Sequence, residues 1–364
     1  NQYREEKTRS FFISNIDGEQ IELLKKTINP ETTLFIISSK SFKTIETTTN
    51  ADVIKSWLLK SGCDDISKHF VAVTSNFETA KDFGIGKENI FKTWNWVGGR
   101  FSLWSAVGLP VALAIGFENF EKMLLGAYKL DEHFLSEPLE KNIPIILALI
   151  DYWYINFYGA PTHAIIPYDE SLHYFPSYLS QLFMESNGKS TDRSGNIVSH
   201  KTGAIVWGAI GTNSQHSVSQ LLHQGKHVVP IDFLAPLMKK GDQNHHELLL
   251  ANCLAQSRAL MQGENNKKSF LNFDGNKPST TILYNELTPE TLGSLLAIYE
   301  HRVFVQGLLL EINSFDQYGV ELGKKVALDI SKKLANKEKN INTDSSTQNL
   351  IDIYIKSKEK NSEN

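Results

Sequence analysis

Cysteine is almost missing from this chain of 364 residues: Cys63 and Cys253 are the only two, far apart and in no C-x-x-C pattern. That excludes a disulfide framework and a cysteine-held structural zinc, and it fits a reducing cytoplasm. Long apolar runs are missing too. The longest, Trp104–Phe117 and Ile143–Ile150, are too short to span a bilayer, and Pro110 interrupts the first. Neither charge dominates: 37 basic against 41 acidic residues leave a net charge of −4, so nothing points to nucleic acid or an anionic membrane surface. The start, Asn1–Lys7, is charged and lacks the apolar stretch of a signal peptide. The histidines suggest no metal, because His245 and His246 are adjacent and point apart on a helix, and no H-E-x-x-H is present.

What remains is an ordinary globular composition, 41% hydrophobic and 21% charged, long enough for two or three domains. Short β-branched runs alternate with helical patterns. Thr33–Ser38, His69–Thr74 and Ile90–Trp94 read as strands, with a helix over Thr47–Lys60 between the first two. A helix-rich stretch from Phe101 to Phe157 follows. Strands then recur at Ala164–Pro167, Gly203–Trp207, His227–Ile231 and Thr280–Tyr284, with helices over Leu172–Glu185, Gln215–Gln224, His245–Gln262 and Thr291–Gln306. Such alternation predicts two parallel sheets flanked by helices, an α/β fold. The tail beyond Ser331 keeps a helix-compatible patch at Leu350–Ile355 and is expected to fray over Ser357–Asn364.

Five segments are placed where chemistry can occur, and each has two readings. Ser38–Thr44 follows a strand and precedes a helix, so Ser39, Lys40, Ser41 and Thr44 either hold a phosphate with free helix amides or simply cap the helix. It lacks the glycines of a Walker A loop. Gly98-Gly99-Arg100 offers either close backbone approach and a cation for an oxyanion, or a turn with a surface arginine. Glu185, beside the turn pair Asn187-Gly188, is either a general base or an exposed helix-end glutamate. His216 stands after a strand, suited to proton transfer or to a structural hydrogen bond. In Phe315–Lys324, a helix after Gly319 would put Gln317 and Lys324 on one face, against a hydroxyl-rich ligand. The other reading is a solvated helix start with a Glu321–Lys324 pair.

The identity and order of these segments together resemble the phosphoglucose isomerase family almost end to end. The resemblance rests on Val97-Gly-Gly-Arg-Phe-Ser102 and on the long run Gly307–Lys324. Phe12–Gly18, Ser38-Ser-Lys40, Met184–Lys189, Gly211-Thr-Asn213 with Gln215-His216, and His223-Gln-Gly225 add to it, as does the pattern from His246 to Met261. It implies two sugar-isomerase (SIS) domains, here 1–125 and 126–320, each a mainly parallel sheet sandwiched by helices, with a C-terminal helical arm over 321–364. It also implies a homodimer with active sites shared between subunits, and interconversion of glucose 6-phosphate and fructose 6-phosphate through a cis-enediol, with no cofactor or metal. Position by position, Glu185 resembles the catalytic base and Arg100 the residue stabilising the enediolate. His216, from the neighbouring subunit, resembles the histidine assisting ring opening. Lys324 resembles the lysine near the ring oxygen, Gln317 a sugar partner, and Ser39, Lys40, Ser41 and Thr44 the phosphate clamp.

Two departures bear on that expectation. The family's portion before Phe12, with its Gly-Ile-Gly-Gly-Ser loop, has no counterpart here, so the chain is expected to be a fragment, weakly active unless a separate N-terminal piece completes it. Gly208-Ala-Ile-Gly211 stands where the family usually has Gly-Glu-Pro-Gly, which removes a carboxylate near His216. A sugar-phosphate-binding protein that has lost the chemistry is the competing reading. It offers no reason to keep Glu185 and Lys324 in their motifs, and solvent-proton exchange into fructose 6-phosphate separates the two.

Overall fold

The fold comes from a computed structural model that describes residues 3–5, 8–336 and 343–362. Of the charged start, residues 1, 2, 6 and 7 lie outside the described residues, as do 337–342 of the expected arm and 363–364 at its end. In chain order the elements are α1 (Gly18–Lys25), β1 (Phe35–Ser38), α2 (Ile45–Lys60), β2 (Phe70–Thr74), α3 (Phe77–Phe83), β3 (Ile90–Lys92), α4 (Leu109–Ile115), α5 (Phe117–Ser136), α6 (Ile143–Asn156), β4 (Thr162–Pro167), α7 (Phe175–Asn187), β5 (Ile205–Gly208), α8 (Ser219–Gln224), β6 (Ile231–Pro236), α9 (Gln243–Gln262), β7 (Ser279–Tyr284), α10 (Pro289–Leu309), α11 (Glu321–Asn336) and α12 (Ser345–Ser362).

The strands form two parallel sheets, ordered β1-β2-β3 and β5-β4-β6-β7. The expected architecture of parallel sheets flanked by helices is present. Central strands β2, β4 and β6 are mostly apolar and buried almost throughout, as a strand covered on both faces must be. Phe70, Leu58 and Ile54 anchor the first core, and Leu179, Leu182 and Tyr299 the second. Each such side chain contributes roughly 1.5–3 kcal/mol of burial. Helix α10 packs on α5, α6 and α7. It approaches α5 so closely that a Cβ on Gly126 would lie 1.9 Å from the Glu290 carbonyl, and one on Gly293 would lie 1.9 Å from that of Met123.

Three expectations need correction. The strand expected at His227–Ile231 begins only at Ile231 and runs to Pro236. Pro230 has no N–H to donate, although its carbonyl accepts from Ala164. The helix expected over Gln215–Gln224 is a 3-10 turn at Asn213–His216 followed by α8. The tail does not fray at Ser357, because α12 continues to Ser362. The chain falls into two compact units, Asn1–Ser314, which carries both sheets, and Phe315–Asn364, which carries α11 and α12. In the second, Ile351 and Ile355 of α12 are buried against Ile330 and Leu334 of α11. Among the described residues no helix is long and apolar enough to cross a membrane.

Candidate active site

The loop after β1 is held from several sides. The Ser39 amide continues the ladder to Val73, and the Lys40 carbonyl accepts from Ser75 N–H and from the Ser75 and Thr74 hydroxyls. Phe42 takes a positive φ of 53° and buries its ring beside Phe83. That conformation is uncommon for a bulky residue and is tolerated because the ring is packed in the core. Thr44 occupies the N-cap of α2, but its hydroxyl lies 3.1 Å from the Ser39 hydroxyl and makes no bond to the helix amides. The plain capping reading is therefore not what the loop does: the first turn of α2 has no side-chain cap. Ser41 instead accepts from the Lys43 amide at 3.2 Å.

Lys40 joins this loop to the next. Its Nζ donates to the carbonyls of Asn95 and Val97, at 3.1 and 3.3 Å, directly before Gly98-Gly99-Arg100. A Cβ on Gly99 would meet nothing, so the space beside that backbone is open. Arg100 then lies in a short 3-10 turn, Gly99–Phe101, and is buried, which overturns the surface-arginine reading.

Ser186, Ser314 and Glu185 are among the groups that hold the Arg100 guanidinium. Nε donates to the Ser186 hydroxyl at 2.7 Å, Nη2 donates to the Ser314 carbonyl at 2.5 Å, and Nη1 lies 3.6 Å from Glu185 Oε1. Glu185 sits in the last turn of α7 with about a fifth of its side chain exposed (21%), against 2% for Arg100. A carboxylate with some solvent access beside a buried cation is the pair that proton abstraction next to an oxyanion requires. Its other oxygen, Oε2, accepts from Gln181 at 2.9 Å. Lys189 caps the end of α7 by donating to the carbonyls of Glu185 and Ser186.

A buried chain of side chains supports this pair. The Ser314 hydroxyl donates to Asn187 Oδ1 at 2.6 Å, and Asn187 Nδ2 donates to Gln306 Oε1 at 2.9 Å. Gln306 in turn donates to Asp151. Gly307 makes room for it, since a Cβ there would lie 1.9 Å from the Ser314 hydroxyl. Sequence reasoning missed Gln181, Ser186, Asn187, Gln306 and Ser314 as supports. Only Gln181 carried a local signal, its i,i+4 spacing from Glu185 on one helix. The others meet through contacts more than 80 residues apart in sequence.

The remaining candidates are described each on its own element. His216 is exposed in its 3-10 turn after β5. Gln317 and Lys324 belong to the second compact unit. Gln317 is the N-cap of the 3-10 turn Tyr318–Val320, with φ −152° and ψ 44°, and so stands outside the helix α11 that carries Lys324. The Lys324 Nζ lies 3.2 Å from Glu321, the ion pair of the plainer reading.

Residues 1–351 match the family model for Phosphoglucose isomerase. The Glucose-6-phosphate isomerase of Wigglesworthia glossinidia brevipalpis is 52% identical over 94% of this chain and 67% of its own length. That of Desulforapulum autotrophicum is 49% identical over 94% of the chain and 66% of its own length. The chain thus spans about two thirds of these curated relatives. Among solved structures, a glucose-6-phosphate isomerase from Chlamydia trachomatis superposes with a TM-score of 0.87 at 38% identity, covering 97% of this chain and 69% of that one. A hypothetical protein from Thermus thermophilus superposes with a TM-score of 0.77 at 28% identity, covering 92% of this chain and 79% of that one.

Proposed function

The chain belongs to the phosphoglucose isomerase family, and we propose that it serves the interconversion of glucose 6-phosphate and fructose 6-phosphate, as the names of its relatives indicate for those proteins. The observation that carries this reading is the Glu185–Arg100 pair, a part-exposed carboxylate 3.6 Å from a buried guanidinium. Glu185 takes a proton from one of C1 and C2 and returns it to the other, while Arg100 stabilises the oxygen charge that develops on the cis-enediol. Ser39, Lys40, Ser41 and Thr44 hold the phosphate at the uncapped start of α2, which anchors the non-reacting end of the sugar. His216 assists ring opening from a neighbouring subunit of a homodimer, with Lys324 and Gln317 toward the sugar. Domains divided near residues 125 and 320, and a cytoplasmic setting for the two free cysteines, belong to the same reading.

A coupled fructose 6-phosphate assay combined with solvent-proton exchange tests it. Glu185→Gln is expected to lower kcat by at least about a hundredfold, the lower end for a general base, while sugar-phosphate binding persists. Near-normal turnover in that variant refutes the assignment of the base. A wild-type chain that binds fructose 6-phosphate without exchanging its protons is a binding protein instead.

A further inference from the structure

Behind Arg100 lies a carboxylate to which the reaction assigns no part. Glu300, on the face of α10 toward α7, takes two hydrogen bonds. Trp104 Nε1 donates to its Oε2 at 2.7 Å, and the Tyr178 hydroxyl lies 3.1 Å from its Oε1. Trp104 stands four residues after Arg100 in the same loop, and Tyr178 stands on α7, the helix that ends in Glu185. The Tyr178 hydroxyl also lies 3.3 Å from the Arg100 carbonyl. It carries one proton, so it donates to Glu300 or to Arg100 but not fully to both.

We propose that Glu300 is a positioning residue for the proposed isomerisation: it ties the Arg100 loop to the Glu185 helix, and its own proton decides which way Tyr178 donates. This rests on the functional reading above. With Glu300 ionised, Tyr178 donates to Oε1 and the Arg100 carbonyl loses that partner. With Glu300 protonated, the proton sits on Oε1, because Trp104 is a donor only and keeps Oε2. The carboxyl then donates to the Tyr178 oxygen, and Tyr178 donates to the Arg100 carbonyl. The backbone that carries the guanidinium thus gains or loses one hydrogen bond with the proton on Glu300.

The titratable and charged groups facing Glu300 from its surroundings are few. Tyr178 comes from α7, and Asp131 comes from α5, where it pairs with His301 at 2.6 Å. Arg100 presents its carbonyl rather than its guanidinium, which is turned to Ser186, Ser314 and Glu185. Desolvation, opposed by the two donors and assisted by Asp131, raises the Glu300 carboxyl from 4.5 to about 7, so both proton states are populated near neutral pH. Burial, with Glu300 beside it, keeps Tyr178 far above the ordinary phenol range and therefore a donor throughout.

The test has one readout that is independent of turnover. The indole N–H resonance of Trp104, assigned by its loss in Trp104→Phe, is followed in the full chain from pH 5.5 to 8.5. It is expected to titrate near pH 7 in the wild type and to stay flat in Glu300→Gln, whose amide imitates the protonated acid by accepting from Trp104 and donating to Tyr178. In fructose 6-phosphate assays, Glu300→Gln is expected to hold kcat at the wild type's acidic-limb value at every pH, a difference of about threefold, the scale of one neutral hydrogen bond. KM is expected to move little. An indole signal that is flat in the wild type, or that titrates equally in Glu300→Gln, overturns the proposal, as does an unchanged pH profile of kcat in the variant. A wild type that shows the indole titration but neither turnover nor proton exchange overturns the functional reading and leaves the proton-dependent hydrogen bond standing.

Discussion

At the scale of single residues, burial decides what each candidate can do. Arg100 and Glu185 differ little in kind from many surface ions, yet one is enclosed and the other keeps an edge in water. Glu300 shows the same principle through linkage. Its carboxyl is pushed up by desolvation to about 7 from an ordinary 4.5. The unfolded chain has released this proton by about pH 5, while the folded one keeps it to about pH 7, so folding stability falls as pH rises through that window and levels off above it. We expect a loss of about 2–3 kcal/mol between pH 4.5 and 7.5, measured by denaturant unfolding, and its absence in Glu300→Gln. A stability curve that is equally steep in the variant contradicts the assignment. At this scale Glu185, Arg100 and the Ser39–Thr44 loop were legible in the sequence because they stand in ordered motifs. Glu300 was not, because nothing local distinguishes a glutamate on a long apolar helix.

At the scale of elements, two helices are fitted without slack. Gly126 of α5 and Gly293 of α10 each face the other helix's backbone at a distance that no Cβ can occupy. Alanine is the better helix former by about 1 kcal/mol, so propensity alone predicts stabilisation by Gly293→Ala. Overpacking against backbone costs typically 1–3 kcal/mol and wins here. Gly293→Ala is expected to destabilise net by about 1–2 kcal/mol in chemical denaturation, and a stabilised variant would show that α10 can shift away. Helix and strand alternation was readable from periodicity, since apolar runs of this length between turn residues have few other uses. The ends were less readable. β6 begins where Pro230 stops withholding a donor, and the 3-10 turn at His216 reflects a loop geometry that no propensity encodes.

At the scale of the whole molecule, a buried charge network spans the second sheet. Arg302 of α10 donates from Nε and Nη2 to Asp151 of α6, at 2.5 and 2.6 Å, and from Nη1 to Asp232 of β6 at 2.5 Å. Tyr299 adds a bond to Asp232 at 3.0 Å. His163 of β4 lies between the two carboxylates, 3.4 Å from Asp151 and 3.0 Å from Asp232, its Nε2 close to the latter but out of hydrogen-bond alignment. Burial works to raise the Asp232 carboxyl, but Arg302 and His163 outweigh it and hold it below the usual range. Its contribution is therefore present above pH 4 and is lost only in stronger acid. Arg302→Met leaves two buried carboxylates without their cation and is expected to cost about 3–5 kcal/mol. A Tm close to wild type at pH 7 would contradict that assignment. Through Gln306 the same network reaches Asn187 and Ser314, and so the Arg100 site.

By itself the sequence determined the class of fold, the order of its strands and helices, and the motifs that mark the family, because periodicity and motif spacing are local properties of the chain. Tertiary structure alone decided that Arg100 is enclosed by Ser186 and Ser314, that Thr44 turns to Ser39 rather than capping its helix, and that Glu300 stands behind the Arg100 carbonyl. Thr44 meets Ser39 through the path of a single loop, whereas the Arg100 and Glu300 contacts depend on groups far apart in sequence meeting where water is excluded. There a hydrogen bond's partner, and a carboxyl's proton, are set by geometry that no single segment contains.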